Sequence, residues 1–157
     1  MIEYQITDER DLESIRPLWE KLNEHHHAKA RHFRRHYETW GFDDRKAYFE
    51  KAVESGTLRL DLACDKDKGK YIGYCVSSIS LEGHGEIESI FIEEAYRSRG
   101  IGAALLSAVI SWMDSVGVLR KRVAVADGNE DSWGFYQRFG FYPRMMLLEQ
   151  KNDRNDD

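Results

Sequence analysis

The sequence predicts a mixed α/β fold in which helices lie on the faces of one mixed sheet. The first observation behind this prediction is the order of periodic segments: strand, two helices, three strands, helix, strand, helix, strand. The second is the length, because a chain of 157 residues suits one domain that buries roughly 70% of the surface its unfolded form exposes. We therefore expect a single domain at 1–150 and a charged C-terminal tail at 151–157.

The first third of the chain predicts one strand and two helices. Alternating apolar and polar residues predict a strand at 2–6, and Asp8 or Thr7 can cap the helix that follows. Pro17 would kink or restart that helix. Its apolar stripe consists of Leu12, Ile15, Trp19 and Leu22. A second helix is predicted at 43–54.

The middle of the chain predicts a hairpin and a further strand. Residues that suit a pleated surface concentrate at 58–64, 71–80 and 86–92. The polar turn at 65–70 separates the first two of these segments, which is typical of a hairpin.

A long amphipathic helix follows the strand at 86–92. Its apolar residues recur at spacings of three and four and form one stripe: Ile101, Ala104, Leu105, Ala108, Val109, Trp112, Met113 and Val116. Gly117 is the candidate residue that ends the helix. The remaining chain predicts a strand at 122–126, a short helix opened by Asn129 and a last strand at 144–150. The exposed edge of that strand could pair with a second copy of the chain, which predicts a homodimer.

Composition and charge narrow the class of protein. The formal net charge of −5 argues against general affinity for nucleic acid. No signal-like opening and no apolar run of about eighteen residues occurs, so we expect neither secretion nor membrane insertion. We expect a cytoplasmic protein, with Cys64 and Cys75 as buried thiols in a reducing compartment.

The most informative motif is Arg-Ser-Arg-Gly-Ile-Gly at residues 97–102. Gly100 and Gly102 let the backbone approach a ligand closely, and Arg97 and Arg99 supply positive charge at the same turn. The first N–H groups of the helix that follows lack intrahelical partners, and the helix dipole favours an anion there. The motif therefore predicts a pyrophosphate site.

Two other kinds of phosphate site do not match. A dinucleotide fingerprint requires a glycine three places after Gly102, where Leu105 stands. A P-loop requires Gly-Lys followed by Ser or Thr, which the chain lacks.

The motif resembles the Arg/Gln-x-x-Gly-x-Gly/Ala signature of the GNAT superfamily of acyl-CoA-dependent N-acetyltransferases. Three further features occur in the family's order: the strand before the motif, the strand at 122–126, and Asn129 opening a short helix that ends with the aromatic residues of 135–141. The resemblance covers most of the chain. It implies a mostly antiparallel sheet of six to seven strands, with a splayed central strand pair that holds the pantetheine arm and about four helices on both faces.

The resemblance also implies acetyl-CoA as cosubstrate and no metal. Backbone groups at the end of the strand would receive the acetyl carbonyl and the pantetheine amides: Ile90, Phe91 and Ile92. N–H groups of the turn would hold the pyrophosphate: Ser98, Arg99, Gly100, Ile101, Gly102 and Ala103, with Arg97 at the start of the loop. Asn129 would cap the short helix, contact the pantetheine arm, or do both. The alternative is an ordinary strand-to-helix turn with two surface arginines.

Glu86 and Glu88 are the candidates for the general base that removes a proton from the amine. Residues two apart on a strand share a face, so repulsion between the two carboxylates would raise the pKa of one of them toward the working pH. The alternative is two solvated residues on a polar face. Some family members carry a base five residues before the asparagine that matches Asn129, but that position is Ala124 here.

Tyr136 is the candidate general acid. The resemblance implies that its phenol protonates the departing thiolate of coenzyme A, and a phenol with a pKa of about 10 is protonated at neutral pH. The alternative is a core aromatic beside Trp133 and Phe139.

Residues 25–36 are rich in histidine and arginine, and their function is the least defined by pattern. His32 and His36 are four apart and could share a helical face, but no patterned carboxylate or cysteine supports a metal site. A solvated face and a docking surface for RNA or an acidic protein are the other interpretations. The resemblance implies that this region covers the acceptor site, whose acidic end would suit a cationic amine: Glu82, His84, Glu86 and Glu88.

The sequence thus predicts an N-acetyltransferase that transfers an acetyl group from acetyl-CoA to a primary amine, small molecule or peptide, by direct attack in a ternary complex. One alternative is a catalytically weak acyl-CoA-binding sensor or regulatory module of the same fold. Another is an RNA-associated or peptide-modifying protein that docks through the basic segment.

Overall fold

A five-stranded mixed sheet forms the centre of the molecule, in the order β1-β2-β3-β4-β5. The structure, a computed structural model, describes residues 1–152. The strands are β1 (Ile2–Thr7), β2 (Gly56–Asp65), β3 (Lys70–Ser80), β4 (His84–Ile92) and β5 (Arg120–Val123). The first four strands pair antiparallel with their neighbours, whereas β5 lies parallel to β4. The hairpin predicted around 65–70 is confirmed as β2 and β3.

Helices cover both faces of this sheet, as the pattern predicted. The described chain contains α1 (Arg16–Lys29), α2 (Arg34–Thr39), α3 (Phe42–Glu54), α4 (Ile101–Ser115) and α5 (Trp133–Gln137). One buried cluster joins α1 and α3 to one face of the sheet, and a second joins α4 to the other face. No helix within residues 1–152 is long and apolar enough to cross a membrane.

The first predicted helix is divided in two. Glu9–Ile15 forms a 3₁₀ segment whose first turn is capped by Asp8, which accepts a hydrogen bond from the Arg10 N–H at 3.0 Å. Pro17 stands in the first turn of α1, where a missing N–H costs nothing, so the prediction that it restarts the helix is confirmed.

The amphipathic helix α4 anchors the second cluster. Its buried residues lie on one stripe: Ile101, Leu105, Leu106, Val109 and Met113. Fully burying a side chain of this kind contributes roughly 1.5–3 kcal/mol. Gly117 follows the helix with a left-handed φ of 80°. This conformation lets the N–H of Gly117 donate to the Asp114 carbonyl and that of Val118 donate to the Met113 carbonyl, which ends the helix. The predicted role of Gly117 is confirmed.

The prediction of six to seven strands and about four helices is wrong in detail, because residues 1–152 form five strands and five helices. The predicted last strand at 144–150 has no strand partner in the described chain, and its side chains are exposed, with Met145 at 81% and Leu147 at 89%. The extra helix α2 has no buried residue and therefore no apolar stripe by which sequence could reveal it. Of the predicted tail, residues 153–157 lie outside the described residues.

Candidate functional site

The parallel strands β4 and β5 diverge halfway along β4. Their parallel pairing ends where Ile87 lies opposite Val123, whereas β4 continues to Ile92. The strand predicted at 122–126 therefore ends at Val123. From Glu88 onward no strand within residues 1–152 pairs with β4 on that side, so its free backbone groups can hydrogen-bond a ligand.

A β-bulge lies where this divergence begins. In the pairing of β3 with β4, Val76 lies opposite Ser89, but Ser77 lies opposite Ile87. The residue skipped by this register is Glu88. Among residues 1–152, Glu88 is the one position of β4 with no partner in either neighbouring strand. Bulges of this kind re-aim a side chain.

Both candidate bases line one cavity of about 250 Å³ beside the bulge. The cavity lies between the end of α3 and the strands β3 and β4, and its wall is mainly polar and acidic: Ser55, Ser78, Ser80, Glu82, His84, Glu86, Glu88 and Arg122. The structure thus brings together the four residues that the sequence assigned to an acidic acceptor end.

The two carboxylates differ in their surroundings. The Glu88 side chain is 7% exposed, whereas that of Glu86 is 29% exposed and lies 3.7 Å from the Arg122 guanidinium. Burial raises the pKa of the Glu88 carboxyl above its ordinary value, and the negative charge of Glu86 adds to the rise. The hydrogen bond from Ser78 and the positive charges of Arg45 and Arg122 only partly offset it. Glu88 is therefore the carboxylate shifted toward the pKa that a general base needs.

The turn at 97–102 presents bare backbone donors. Ser98 and Gly100 adopt left-handed backbone conformations, with φ of 61° and 78°. The N–H groups of residues 98–103 have no hydrogen-bond acceptor in the described chain, whereas those of Arg97 and Ala104 on either side donate to backbone carbonyls. This array lies at the N-terminus of α4, where the helix dipole adds positive potential. The geometry suits a phosphate group.

The two arginines of the turn lie against its aromatic neighbours. Arg97 donates from Nε to the carbonyl of Ile92 at 3.0 Å, and its guanidinium lies 5.3 Å from the Phe91 ring centroid. Arg99 lies over the ring of Tyr96 at 5.2 Å. Arg97 therefore holds the end of β4 beside the turn.

The end of β4 places its side chains in the two cores and leaves one backbone edge free. Phe91 packs with the α1 and α3 cluster, whereas Ile90 and Ile92 pack against the α4 cluster. These three residues pair with β3 on one side only. Their other edge faces the gap between the strands.

Tyr136 lies in α5 on the α4 side of the sheet. A Cβ added at Gly102 would lie 3.5 Å from the Phe135 ring, an ordinary contact distance, so α5 packs beside the first turn of α4. Burial raises the pKa of the Tyr136 phenol, with a smaller contribution from Cys75, which pairs with Ile90 of β4. The phenol is therefore protonated at neutral pH.

Asn129 does not use its side chain as a cap, which corrects one of its predicted roles. Its backbone carbonyl accepts from Ser132, while its Oδ1 lies 3.4 Å from Nε2 of His25 in α1. Beside it, a Cβ at Gly128 would lie 2.1 Å from the carbonyl oxygen of Lys29. The end of α1 and the segment after β5 are therefore in close contact.

Ion pairs reinforce this contact. Arg31 pairs with Asp127 and Glu130, two carboxylates on the segment after β5. Sequence reasoning missed this connection, because the two partners lie 96 and 99 positions away along the chain. With two acidic partners, Arg31 contributes less positive charge to a basic docking face.

The remaining histidines do not form the helical pair that the sequence allowed. His32 precedes α2, which begins at Arg34, so it does not share a helical face with His36. His36 stacks on Trp40 with 5.6 Å between ring centroids. His26 lies beside Tyr37, and burial lowers the pKa of its imidazole to about 4.

Comparisons with known proteins agree with this architecture. A model of the acetyltransferase (GNAT) family matches residues 14–141. An N-acetyltransferase of Methanocaldococcus jannaschii, described as uncharacterized, is 29% identical over 85 residues, which is 50% of this chain and 38% of that protein. This chain thus spans well under two thirds of that relative. A phosphinothricin N-acetyltransferase of Streptomyces coelicolor is 24% identical over 133 residues, 82% of this chain and 77% of that protein.

Solved structures share the fold. The aminoglycoside N-acetyltransferase AAC(6')-Iy in complex with CoA is 20% identical and has a TM-score of 0.68, with 98% of this chain and 96% of that chain covered. Another structure of AAC(6')-Iy contains a bisubstrate analogue, CoA-S-monomethyl-acetylneamine.

Proposed function

The chain belongs to the acetyltransferase (GNAT) family, and on that premise we propose that it transfers an acetyl group from acetyl-CoA to a primary amine by direct attack in a ternary complex. One observation carries the proposal: the unpaired N–H groups of residues 98–103 lie at the start of α4, directly after the strand that diverges from its neighbour. An anion site and a free strand edge next to one another match the two ends of a coenzyme with a pyrophosphate and an amide-containing arm.

The proposed coenzyme site follows the chain. The pyrophosphate accepts hydrogen bonds from the N–H groups of 98–103, and the pantetheine amides pair with the free edge of β4 at 90–92. Asn129 lies beyond the end of β5 and is the candidate side chain for contact with the arm. The complex of AAC(6')-Iy with CoA, a protein of the same fold, supports this use of the site.

The proposed chemistry assigns one proton to each side of the reaction. Glu88 accepts a proton from the ammonium form of the acceptor, directly or through water, and the neutral nitrogen attacks the thioester carbonyl. The C–N bond forms first and gives a tetrahedral oxyanion, which backbone N–H groups of β4 stabilise. Collapse of this intermediate breaks the C–S bond, the Tyr136 phenol protonates the departing thiolate, and the nitrogen releases its second proton to the resulting phenolate, directly or through water. Glu86 supports the negative potential of the cavity and is the alternative base.

The acceptor is proposed to be cationic. Three carboxylates of the cavity wall, Glu82, Glu86 and Glu88, outnumber its one arginine, Arg122. A positively charged amine enters such a cavity more readily than an anion does. The names of the Streptomyces relative and of AAC(6')-Iy both describe transfer to nitrogen, which supports an amine acceptor.

A sensor without turnover is the second candidate. The observation that favours it is Ala124, which stands where some family members carry a carboxylate base. Such a protein would bind acetyl-CoA through the same turn and release no product with any amine.

One pair of measurements separates these functions. Calorimetry with acetyl-CoA and free CoA tests the coenzyme site, and thiol release in the presence of a panel of small amines and peptides tests transfer. Heat with both coenzymes and thiol release with a cationic amine support the proposal. Heat without thiol release for any acceptor favours the sensor, and absence of heat from folded protein contradicts both.

A homodimer and a cytoplasmic location also belong to the proposal. The segment 142–148 exposes apolar side chains, and a second copy of the chain could cover them: Tyr142, Met145, Met146, Leu147 and Leu148. Size-exclusion chromatography coupled to light scattering distinguishes a dimer from a monomer. Cell fractionation tests the location.

A further inference from the structure

Arg45 of α3 makes a set of contacts that no local pattern in the sequence indicates. Its side chain is 19% exposed, and Nη2 donates to the backbone carbonyl of Glu88 at 2.7 Å. The same nitrogen lies 3.8 Å from Oε2 of the Glu88 carboxylate. The guanidinium also lies 4.4 Å, 4.9 Å and 5.8 Å from the ring centroids of Phe49, Tyr48 and Trp40. Three rings and one hydrogen bond therefore hold this cation in place.

The carbonyl that Arg45 binds belongs to the bulge. Glu88 lacks a partner in β3 because of the bulge, and in β5 because the strands have already diverged. A buried backbone carbonyl that accepts no hydrogen bond is costly, so the bulge needs a donor from outside the sheet. Arg45 supplies that donor.

The carboxylate of Glu88 is held from two elements. Ser78 of β3 donates to Oε1 at 2.8 Å, and Arg45 of α3 lies on the side of Oε2. The charged and titratable groups that face it are Glu86 on β4, Arg122 on β5, and Arg45 and Tyr48 on α3. Glu82 and His84 line the same cavity. Of the two arginines, Arg45 is the one that also holds the backbone.

We infer that Arg45 is a positioning residue for acyl transfer: it holds the bulged backbone at Glu88 and keeps the carboxylate aimed into the acceptor cavity. The inference rests on the proposed function in taking Glu88 as the base. Arg45 itself touches neither the coenzyme site at 98–103 nor the reacting atoms in this assignment. Its effect is transmitted through Glu88.

Two substitutions separate the backbone contact from the charge. Arg45→Gln retains an N–H donor for the carbonyl but removes the charge, whereas Arg45→Met removes both and keeps an apolar stem against the rings. Loss of the charge raises the pKa of Glu88, so the acidic limb of kcat/KM moves up by about one pH unit in both variants. At a pH below this limb, kcat/KM of each variant is therefore about tenfold lower than that of the unmodified protein. At high pH activity recovers in Arg45→Gln and stays lower in Arg45→Met.

Lys51→Met is the matched control, because Lys51 is an exposed cation near the end of the same helix. It should leave the pH profile and the affinity for CoA unchanged. An unmoved acidic limb in the Arg45 variants, or an equal loss of activity at every pH, overturns the inference. If Arg45→Met does not fold, the limb of Arg45→Gln decides.

A second readout does not depend on turnover. NMR titration of the Glu88 carboxyl in the unmodified protein and in Arg45→Gln should show the higher pKa in the variant. If the protein binds CoA and acetylates no amine, the proposed function fails while this titration still tests Arg45. An identical pKa in both proteins contradicts the inference whatever the enzyme assay shows.

Discussion

Gly100→Ala tests whether the backbone of the turn binds the coenzyme. Gly100 has a φ of 78°, and a Cβ there would meet no atom within 4 Å. The cost to folding is therefore the left-handed backbone alone, about 1–2 kcal/mol for an L-residue. For a chain of this size that corresponds to a Tm lower by about 2–8 °C.

The expected loss of coenzyme affinity is separate from that cost. The added methyl group occupies open space beside the bare N–H groups of 98–103, where the pyrophosphate is proposed to lie. Displacing one hydrogen bond to a charged oxygen costs about 1.5–3 kcal/mol. The Kd for CoA should therefore rise about 10- to 150-fold, which isothermal titration calorimetry measures directly.

Gly69→Ala is the matched control for Gly100→Ala. Gly69 lies in the β2–β3 turn with a φ of 61°, and a Cβ there also meets no atom within 4 Å. It should lower the Tm by a similar amount and leave the Kd for CoA unchanged. The reasoning is refuted if Gly100→Ala binds CoA as the unmodified protein does, or if both variants lose affinity equally.

Four further substitutions test the site and the contact between α1 and the segment after β5. Glu88→Gln should lower kcat/KM by about 10²- to 10⁴-fold, with a smaller loss for Glu86→Gln, in steady-state assays. Because the pKa of Glu88 is raised in the folded protein, Glu88 contributes stability below its ordinary pKa and loses this contribution as the pH rises. The Tm of Glu88→Gln, compared with that of the unmodified protein at the same pH, should therefore be more favourable at neutral pH than at acidic pH. Tyr136→Phe keeps the ring and should lower kcat about 10²-fold or more with little change in the Kd for CoA; an unchanged kcat would contradict its role as acid. Arg31→Gln breaks the exposed ion pairs with Asp127 and Glu130, so it should change the Tm little but speed hydrogen exchange at 127–130. Unchanged exchange would show that these ion pairs do not hold the segment in place.

Prediction from sequence succeeded where a feature is built from neighbouring residues. The site at 97–102 is made of a strand end, a turn and a helix start that follow one another along the chain, so its composition is visible as a motif. The same holds for Gly117, whose role depends on the helix immediately before it. The left-handed conformation of Ser98 was not predictable, because serine has no preference for it.

Prediction failed where a feature depends on available partners. The segment 144–150 has the residue types of a strand, but a strand also requires pairing with a neighbour, and in the described chain this segment pairs with none. The spacing of Glu86 and Glu88 indicated one face, yet only the bulge and the contacts of Ser78 and Arg45 show which carboxylate is buried.

Sequence alone was sufficient for the β2–β3 hairpin, the amphipathic face of α4 and the glycine turn that precedes this helix, because periodicity and glycine spacing are local properties of a chain. The contacts around Glu88 and Asn129 were decided by the packing of α1 and α3 on one face of the sheet. This packing brings Arg45 to Glu88 across 43 positions and His25 to Asn129 across 104. Such contacts arise from how whole elements bury their apolar faces together, and no short stretch of residues carries that information.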